Sequence, residues 1–222
     1  MKKVAVVLAG CGVFDGAEIY ESTLTLLALD RQDIPYQCLA PNIAQMHVIN
    51  HLTGEVAAEE SRNVLVEAAR LARGEILDLA QAQVSDYAAV IFPGGFGAAK
   101  NLCDFALKGP DCEVNPGVEQ FILNALDQKL PLGFICIAPA MMAKIAQKAG
   151  FQTQLTLGTG QDWAQKIEAM QQIHVQCGVH DVVIDEARRI VSTPAYQLAE
   201  RISEAADGIE KLVQTLAVWI RS

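Results

Sequence analysis

The stretch Leu132-Gly133-Phe134-Ile135-Cys136-Ile137-Ala138-Pro139-Ala140 runs from an apolar strand straight into a helix, with Cys136 at the junction. Leu132–Ile135 has strand length, and a segment rich in Ala and Met follows at once and continues to Lys148. A residue at such a junction is raised above the end of a sheet on a strained turn. It also stands at a helix N-terminus, where the dipole and free N–H groups favour thiolate over thiol. The pattern suits an inert side chain too, since free cysteine is among the most buried residue types and packs as a small hydrophobe. Position alone leaves both readings open.

The same alternation extends to either side. Lys3–Ala9 is a β-branched run of strand length, and Ala17–Arg31 places Ile19, Leu24, Leu26, Leu27 and Leu29 broadly at helical spacing. Tyr36–Ala40 reads as a short strand ending at Pro41, and Met46–Thr53 before Gly54 as an excursion or hairpin. Ser61–Arg73 reads as a helix closed by Gly74, and Tyr87–Phe92 as a strand stopped by Pro93-Gly94-Gly95. A short helix around Ala98–Leu107 and another at Gly117–Asp127 precede the Cys136 strand. Beyond Lys148 come strands at Gln154–Leu157, Val182–Asp185 and Arg189–Ser192, a helix at Asp162–Met170 and a closing helix over Leu198–Ile220. Strands alternating with helices of this length predict an α/β fold with a mainly parallel sheet covered on both faces. Ligand sites of such sheets lie at the carboxyl ends of the strands. Attention therefore falls on the loops after Ala9, Phe92 and Ile135.

Composition bounds the function. The 222 residues suit one α/β domain over 1–222, with no internal repeat or linker. Although 51% of residues are apolar, no segment approaches the ~18 uninterrupted apolar residues of a membrane span. The opening MKKVAVVLAG has the charge and apolar run of a signal peptide, but Gly follows instead of a cleavage site. It is read as a buried first strand, which predicts a cytoplasmic protein. A net charge of −9 without any basic block argues against nucleic acid or an anionic membrane surface as partner. The six cysteines form no Cys-x-x-Cys pair and do not cluster with the four histidines at metal-ligand spacing, so they are read as reduced thiols.

Gly10-Cys-Gly-Val-Phe-Asp-Gly16 follows the first strand, but its GxGxxxG spacing departs from the dinucleotide fingerprint. The second strand ends in Cys38-Leu-Ala-Pro-Asn42, with no acid for a ribose hydroxyl, so a tight glycine turn is the better reading. In Pro93-Gly-Gly-Phe-Gly97, backbone without side chains lets amides approach a ligand. Gly94 and Gly95 are thus candidate donors to a developing oxyanion, with the amide of Ile137 beside them.

Taken together, Gly133–Pro139, Pro93–Gly97 and Gly16-Ala-Glu-Ile-Tyr-Glu21 resemble the class I glutamine amidotransferase-like superfamily, and within it the PfpI and DJ-type branch. Gly10–Gly16, Val48–Gly54, Ser61–Leu65, Pro93–Leu102, Cys136–Met141 and Thr193-Pro-Ala-Tyr196 are similar to its ElbB group, glyoxalases linked by name to isoprenoid biosynthesis. The resemblance implies a flavodoxin-like three-layer sandwich with a nucleophile elbow, and Cys136 as nucleophile. It also implies a carboxylate of the first helix, Glu21, that shares a proton with the thiol. Glu18, one turn earlier, either faces solvent or reaches the same site. Relatives often supply a histidine after the nucleophile, whereas this chain has Ile137 there, and later only His174 and His180. His174-Val-Gln176 is not the His-x-Glu of amidotransferase triads, and His180, before a strand, is only a minor candidate for a catalytic role, because an unplaced histidine is usually structural or solvated. The implied activity is that of a glyoxalase, a lyase of the hydro-lyase type. It would turn glyoxal into glycolate and methylglyoxal into lactate, with no glutathione, metal or other cofactor. The small aldehyde is then the partner, and a homodimer the implied assembly. Deglycation of aldehyde adducts and a non-catalytic redox-sensing or chaperone-like role of Cys136 are the competing readings.

Overall fold

The computed structural model describes residues 2–222. Its strands are β1 (Lys3–Val7), β2 (Tyr36–Ala40), β3 (Ile49–Asn50), β4 (Glu55–Val56), β5 (Ile76–Asp78), β6 (Tyr87–Phe92), β7 (Leu132–Ile135), β8 (Gln154–Leu155), β9 (Ile173–His174), β10 (Val183–Asp185) and β11 (Ile190–Thr193). The helices are α1 (Ile19–Arg31), α2 (Val64–Leu71), α3 (Phe96–Lys100), α4 (Phe105–Lys108), α5 (Pro116–Asp127), α6 (Pro139–Ala149), α7 (Gln161–Ala169) and α8 (Ile202–Arg221). Seven strands form one sheet in the order β10-β11-β7-β6-β1-β2-β5, parallel throughout except for β10 at one edge.

The central strands are apolar on both faces because both faces are covered. Val4 to Ala9 and Ala89 to Phe92 are fully buried, and Phe92 pairs in register with Phe134 on β7, their rings stacked 5.2 Å apart. On one face α1 lies against α8, whose Leu212 and Leu216 fill the space above Gly133. From β1 the chain winds outward through β2 to β5, then returns to β6 on the far side of β1. Right-handed crossovers therefore put α5 and α6 on the opposite face, giving a three-layer α/β fold. The reversal opens a crevice at the carboxyl ends of β1 and β6, where such sheets bind ligands. The glycine loops after β1 and β6 meet there, next to Cys136.

Several sequence expectations shift. β5 was not anticipated, because Ile76-Leu-Asp78 is too short to carry periodicity. The Met46–Thr53 excursion is an antiparallel hairpin of β3 and β4. The predicted strand at Gln154–Leu157 shortens to two residues that pair with β9 outside the main sheet. The helix expected around Ala98–Leu107 is two helices, α3 and α4. The closing helix starts only at Ile202, because Pro194 and a 3-10 turn at Ala195–Gln197 intervene.

Candidate active site

Cys136 sits just past β7 with φ 60°, a left-handed conformation that is uncommon for a non-glycine residue and marks backbone strain at sites of chemistry. Its N–H donates to Thr193 O, 3.0 Å away on the neighbouring strand β11, which pins the strained turn to the sheet. The residue is buried, 7% exposed.

The acid comes from α1. Glu18 caps this helix, its carboxylate accepting from the Glu21 N–H at 2.6 Å, while the Glu18 N–H donates to Gly94 O at 2.9 Å. That cap turns Glu21 inward, where it is fully buried. Glu21 Oε2 accepts from the Gly94 N–H at 2.9 Å and Oε1 from the Tyr196 N–H at 3.2 Å, and Gly94 lies against both Cys136 Cβ and Glu21 Oε2, which brings the two side chains together. The Gln197 amide nitrogen approaches Cys136 Sγ at 3.6 Å.

Only glycine fits the loop between these groups. A Cβ on Gly94 would lie 2.4 Å from Cys136 Cβ and 2.7 Å from Glu21 Oε2. Gly95 has φ +90°, and a Cβ there would lie 2.4 Å from Glu18 N. Phe96 N–H to Val13 O and Gly97 N–H to Gly16 O, both 2.8 Å, tie this loop to the glycine turn after β1.

Burial sets the protonation of the pair. It pushes the Glu21 carboxyl from its usual 4.5 to about 8, and the Glu18 carboxylate adds to the rise. Hydrogen bonds from Tyr196, Cys136 and Gly94 oppose it. The Cys136 thiol is pushed well above its usual range by burial and then by Glu21, against smaller downward pulls from the Gly95 amide and Gln197. The thiolate expected from the helix N-terminus is thereby corrected. Helix α6 begins three residues later at Pro139, and a dipole effect of about 0.3–2 kcal/mol does not outweigh full burial.

Cys136 lines a cavity of about 260 Å³ walled by Val13, Phe96, Ile137, Trp163 and Tyr196, with Glu18 and Gln197 as its polar side chains. Larger depressions of about 480 and 630 Å³ lie elsewhere on the surface and touch neither Cys136 nor Glu21. Glu18 is 7% exposed and lines the cavity, so the solvent-facing alternative for it fails. Gly94 is corrected as an oxyanion donor, because its N–H is already engaged by Glu21. Gly95 faces the sulfur, and the Ile137 N–H has no acceptor among the described residues. His180 sits 2.8 Å from Asp207 on the surface, both side chains more than half exposed, and His174 accepts from the Leu157 N–H at 3.1 Å. Neither histidine lines the cavity. Among the described residues no three His, Cys, Asp or Glu side chains are grouped to hold a metal ion. The Met46–Thr53 segment does not wall the cavity, whereas Phe96 does.

Val13, Trp163, Tyr196 and Gln197 escaped the sequence reading as parts of the site. Thr193-Pro194 ends β11 beside the Cys136 strand, a stop at the carboxyl end of a parallel strand that points to a site loop.

A human protein, glutamine amidotransferase-like class 1 domain-containing protein 3, mitochondrial, is 41% identical over 221 residues, covering 96% of this chain and 81% of its own. The rat ES1 protein homolog, mitochondrial, is also 41% identical over 221 residues, covering 96% of this chain and 82% of its own. The chain belongs to this glutamine amidotransferase-like class 1 family. A solved structure from Ehrlichia chaffeensis, an isoprenoid biosynthesis protein with an amidotransferase-like domain, superposes with a TM-score of 0.89 at 32% identity, covering 98% of this chain and 99% of its own. No protein-family model matches the chain. These findings support the superfamily expected from the motifs and the flavodoxin-like fold, and they stop short of the ElbB group. They overturn the cytoplasmic expectation, since both family relatives are named as mitochondrial. A buried strand at Lys3–Val7 speaks to the fold and not to the compartment.

Proposed function

We propose that this amidotransferase-like protein is a cofactor-independent glyoxalase acting on small α-oxoaldehydes. The observation that carries the reading is the buried Cys136–Glu21 pair, a nucleophile beside a carboxyl titrating near neutrality, with Glu18 as a second carboxyl on the cavity wall. The fraction of Glu21 that is ionised accepts the thiol proton as sulfur attacks the aldehyde carbon and passes it to the aldehyde oxygen, giving a hemithioacetal and restoring the carboxylate. Glu21 then removes the hydrogen on that carbon and returns a proton to the adjacent carbonyl carbon through an enediol. The first carbon is oxidised and the second reduced, so no external electron acceptor is needed. The product is a 2-hydroxyacyl thioester on Cys136, which water hydrolyses to release the hydroxy acid and the thiol. The Gly95 and Ile137 amides would hold the oxyanion.

A cavity of about 260 Å³ admits a small aldehyde, and a nucleophile 7% exposed disfavours an adduct carried on a folded protein. A raised thiol pKa also disfavours Cys136 as a peroxide sensor, because the thiolate is the species that oxidises. The test is D-/L-lactate and glycolate formation by the purified protein and its Cys136→Ala variant. Loss of turnover in a variant that keeps its fold is expected; an active Cys136→Ala protein sinks the proposal.

A further inference from the structure

Two polar side chains stand on the wall of the Cys136 cavity, and the aldehyde chemistry above gives neither a step. Glu18 is committed to capping α1, whereas the Gln197 carboxamide has one partner among the described residues, the Cys136 sulfur, 3.6 Å from its Nε2. The turn that carries it serves both members of the reactive pair. Within Ala195–Gln197 the Tyr196 N–H donates to Glu21 Oε1 at 3.2 Å, and the next side chain reaches the sulfur. The turn is also strained. Ala195 is fully buried with φ 42°, in the left-handed region, and the Gln197 N–H to Pro194 O and Leu198 N–H to Ala195 O bonds, both 3.0 Å, hold it there. Strain of this kind concentrates at sites of chemistry, where the surrounding structure over-determines the backbone. We propose that Gln197 is a third catalytic residue of the site, donating an N–H to the Cys136 sulfur and stabilising it as its proton leaves and again as it is expelled from the thioester.

The direction of the bond follows from the inventory of donors. A thiol carries one proton, and Glu21 takes it, so the sulfur meets the carboxamide as an acceptor and Nε2 is the atom that faces it. A carboxamide stays neutral, so Gln197 transfers nothing. The thiol proton passes to Glu21, and the N–H remains on Gln197 while negative charge grows on the sulfur. A hydrogen bond to an ionised group is shorter and stronger than one to its neutral form, so the contact tightens as the charge develops. It acts against burial and the Glu21 carboxyl, which both disfavour a thiolate. The catalytic role rests on the glyoxalase chemistry proposed above, whereas the bond to sulfur can be tested without turnover.

The experiment alkylates the folded protein with iodoacetamide over a neutral-to-alkaline pH series and follows the Cys136 peptide by mass spectrometry. It compares the natural chain with Gln197→Met and Gln197→Lys. Met has similar length and no N–H, and losing a hydrogen bond to a charged group leaves about tenfold less thiolate at a given pH. A more basic thiolate is also more nucleophilic, so alkylation of Gln197→Met is expected to be about threefold slower. Lys brings an ammonium to the sulfur and is expected to be alkylated faster than the natural protein. A merely structural role would move both variants the same way. An unchanged rate in Gln197→Met, or a shift of both variants in one direction, overturns the proposal. With methylglyoxal, Gln197→Met is expected to lower kcat more than it raises KM, since the amide touches the sulfur. If the natural protein forms no lactate while the alkylation pattern holds, the glyoxalase reading fails and the bond to sulfur stands. If lactate forms and the alkylation pattern is absent, Gln197 alone loses its role.

Discussion

Replacing Glu21 by Gln is expected to remove a pH dependence of folding that the buried carboxyl imposes on the native chain. In the fold this group holds its proton up to about 8, against a usual 4.5. Between those values the native state keeps a proton that the unfolded chain has released, so stability falls as pH rises. The contribution is fully present below the unfolded value and is lost as pH climbs through about 8. Integrated from about pH 5 to about pH 9, the loss amounts to about 4 kcal/mol, a large share of the 5–15 kcal/mol that holds a typical domain together. Gln cannot ionise, and it loses one of the two oxygens that accept from Gly94 and Tyr196. That loss is the same at every pH and cancels when the two conditions are compared. Urea unfolding followed by circular dichroism, on both proteins at both pH values, measures the difference directly. The natural chain should lose about 4 kcal/mol relative to Glu21→Gln on going from the acid to the alkaline condition. If the gap between the two proteins is the same at both pH values, Glu21 is already ionised in the native state, and the proton-shuttle reasoning fails with it.

Two further outcomes follow from the same geometry. Because the base must be ionised to accept the thiol proton, kcat/KM for methylglyoxal is expected to rise with pH and level off above about 8, with the rising limb absent from Glu21→Gln; initial-rate profiles read this. The walls formed by Val13, Phe96, Ile137 and Trp163 are expected to favour methylglyoxal over glyoxal by about fourfold in kcat/KM, the worth of burying one methyl at about 0.8 kcal/mol. Competition between the two aldehydes measures the ratio, and equal values would mean that the methyl group does not enter this cavity.

The layer order was legible because its carriers are local. Lys3–Val7, Tyr87–Phe92 and Leu132–Ile135 are apolar runs of strand length, each closed by glycine or a turn, and they became β1, β6 and β7. What was illegible was short or held by partners far along the chain. Ile76–Asp78 is a strand only because β2 offers it an edge, and Gln154–Leu155 only because Ile173–His174 lies alongside. The same division runs through the site. Cys136 was visible from its junction, and Glu21 from the motif around Gly16-Ala17. Tyr196 and Gln197 were not, since they lie in a turn after β11, and only the pairing of β11 with β7 returns Gln197 to a residue 61 positions upstream.

Charge state was the least legible property, because it depends on magnitudes and not on residue types. A cysteine before a helix suggests a thiolate, and a dipole contributes at most about 2 kcal/mol toward it. Burying a charged group in this setting opposes ionisation more strongly, and a neighbouring carboxyl adds to the opposition. The outcome is a thiol beside a carboxyl that titrates near neutrality, both held by the backbone of Gly94, Thr193 and Tyr196. Such a pair has little standing nucleophile to offer, but it can take a proton from sulfur at the moment of attack and hand one between adjacent carbons. In amide hydrolysis by a Cys–His pair a histidine takes the thiol proton and gives it to the leaving nitrogen, and neither His174 nor His180 reaches the cavity to do so.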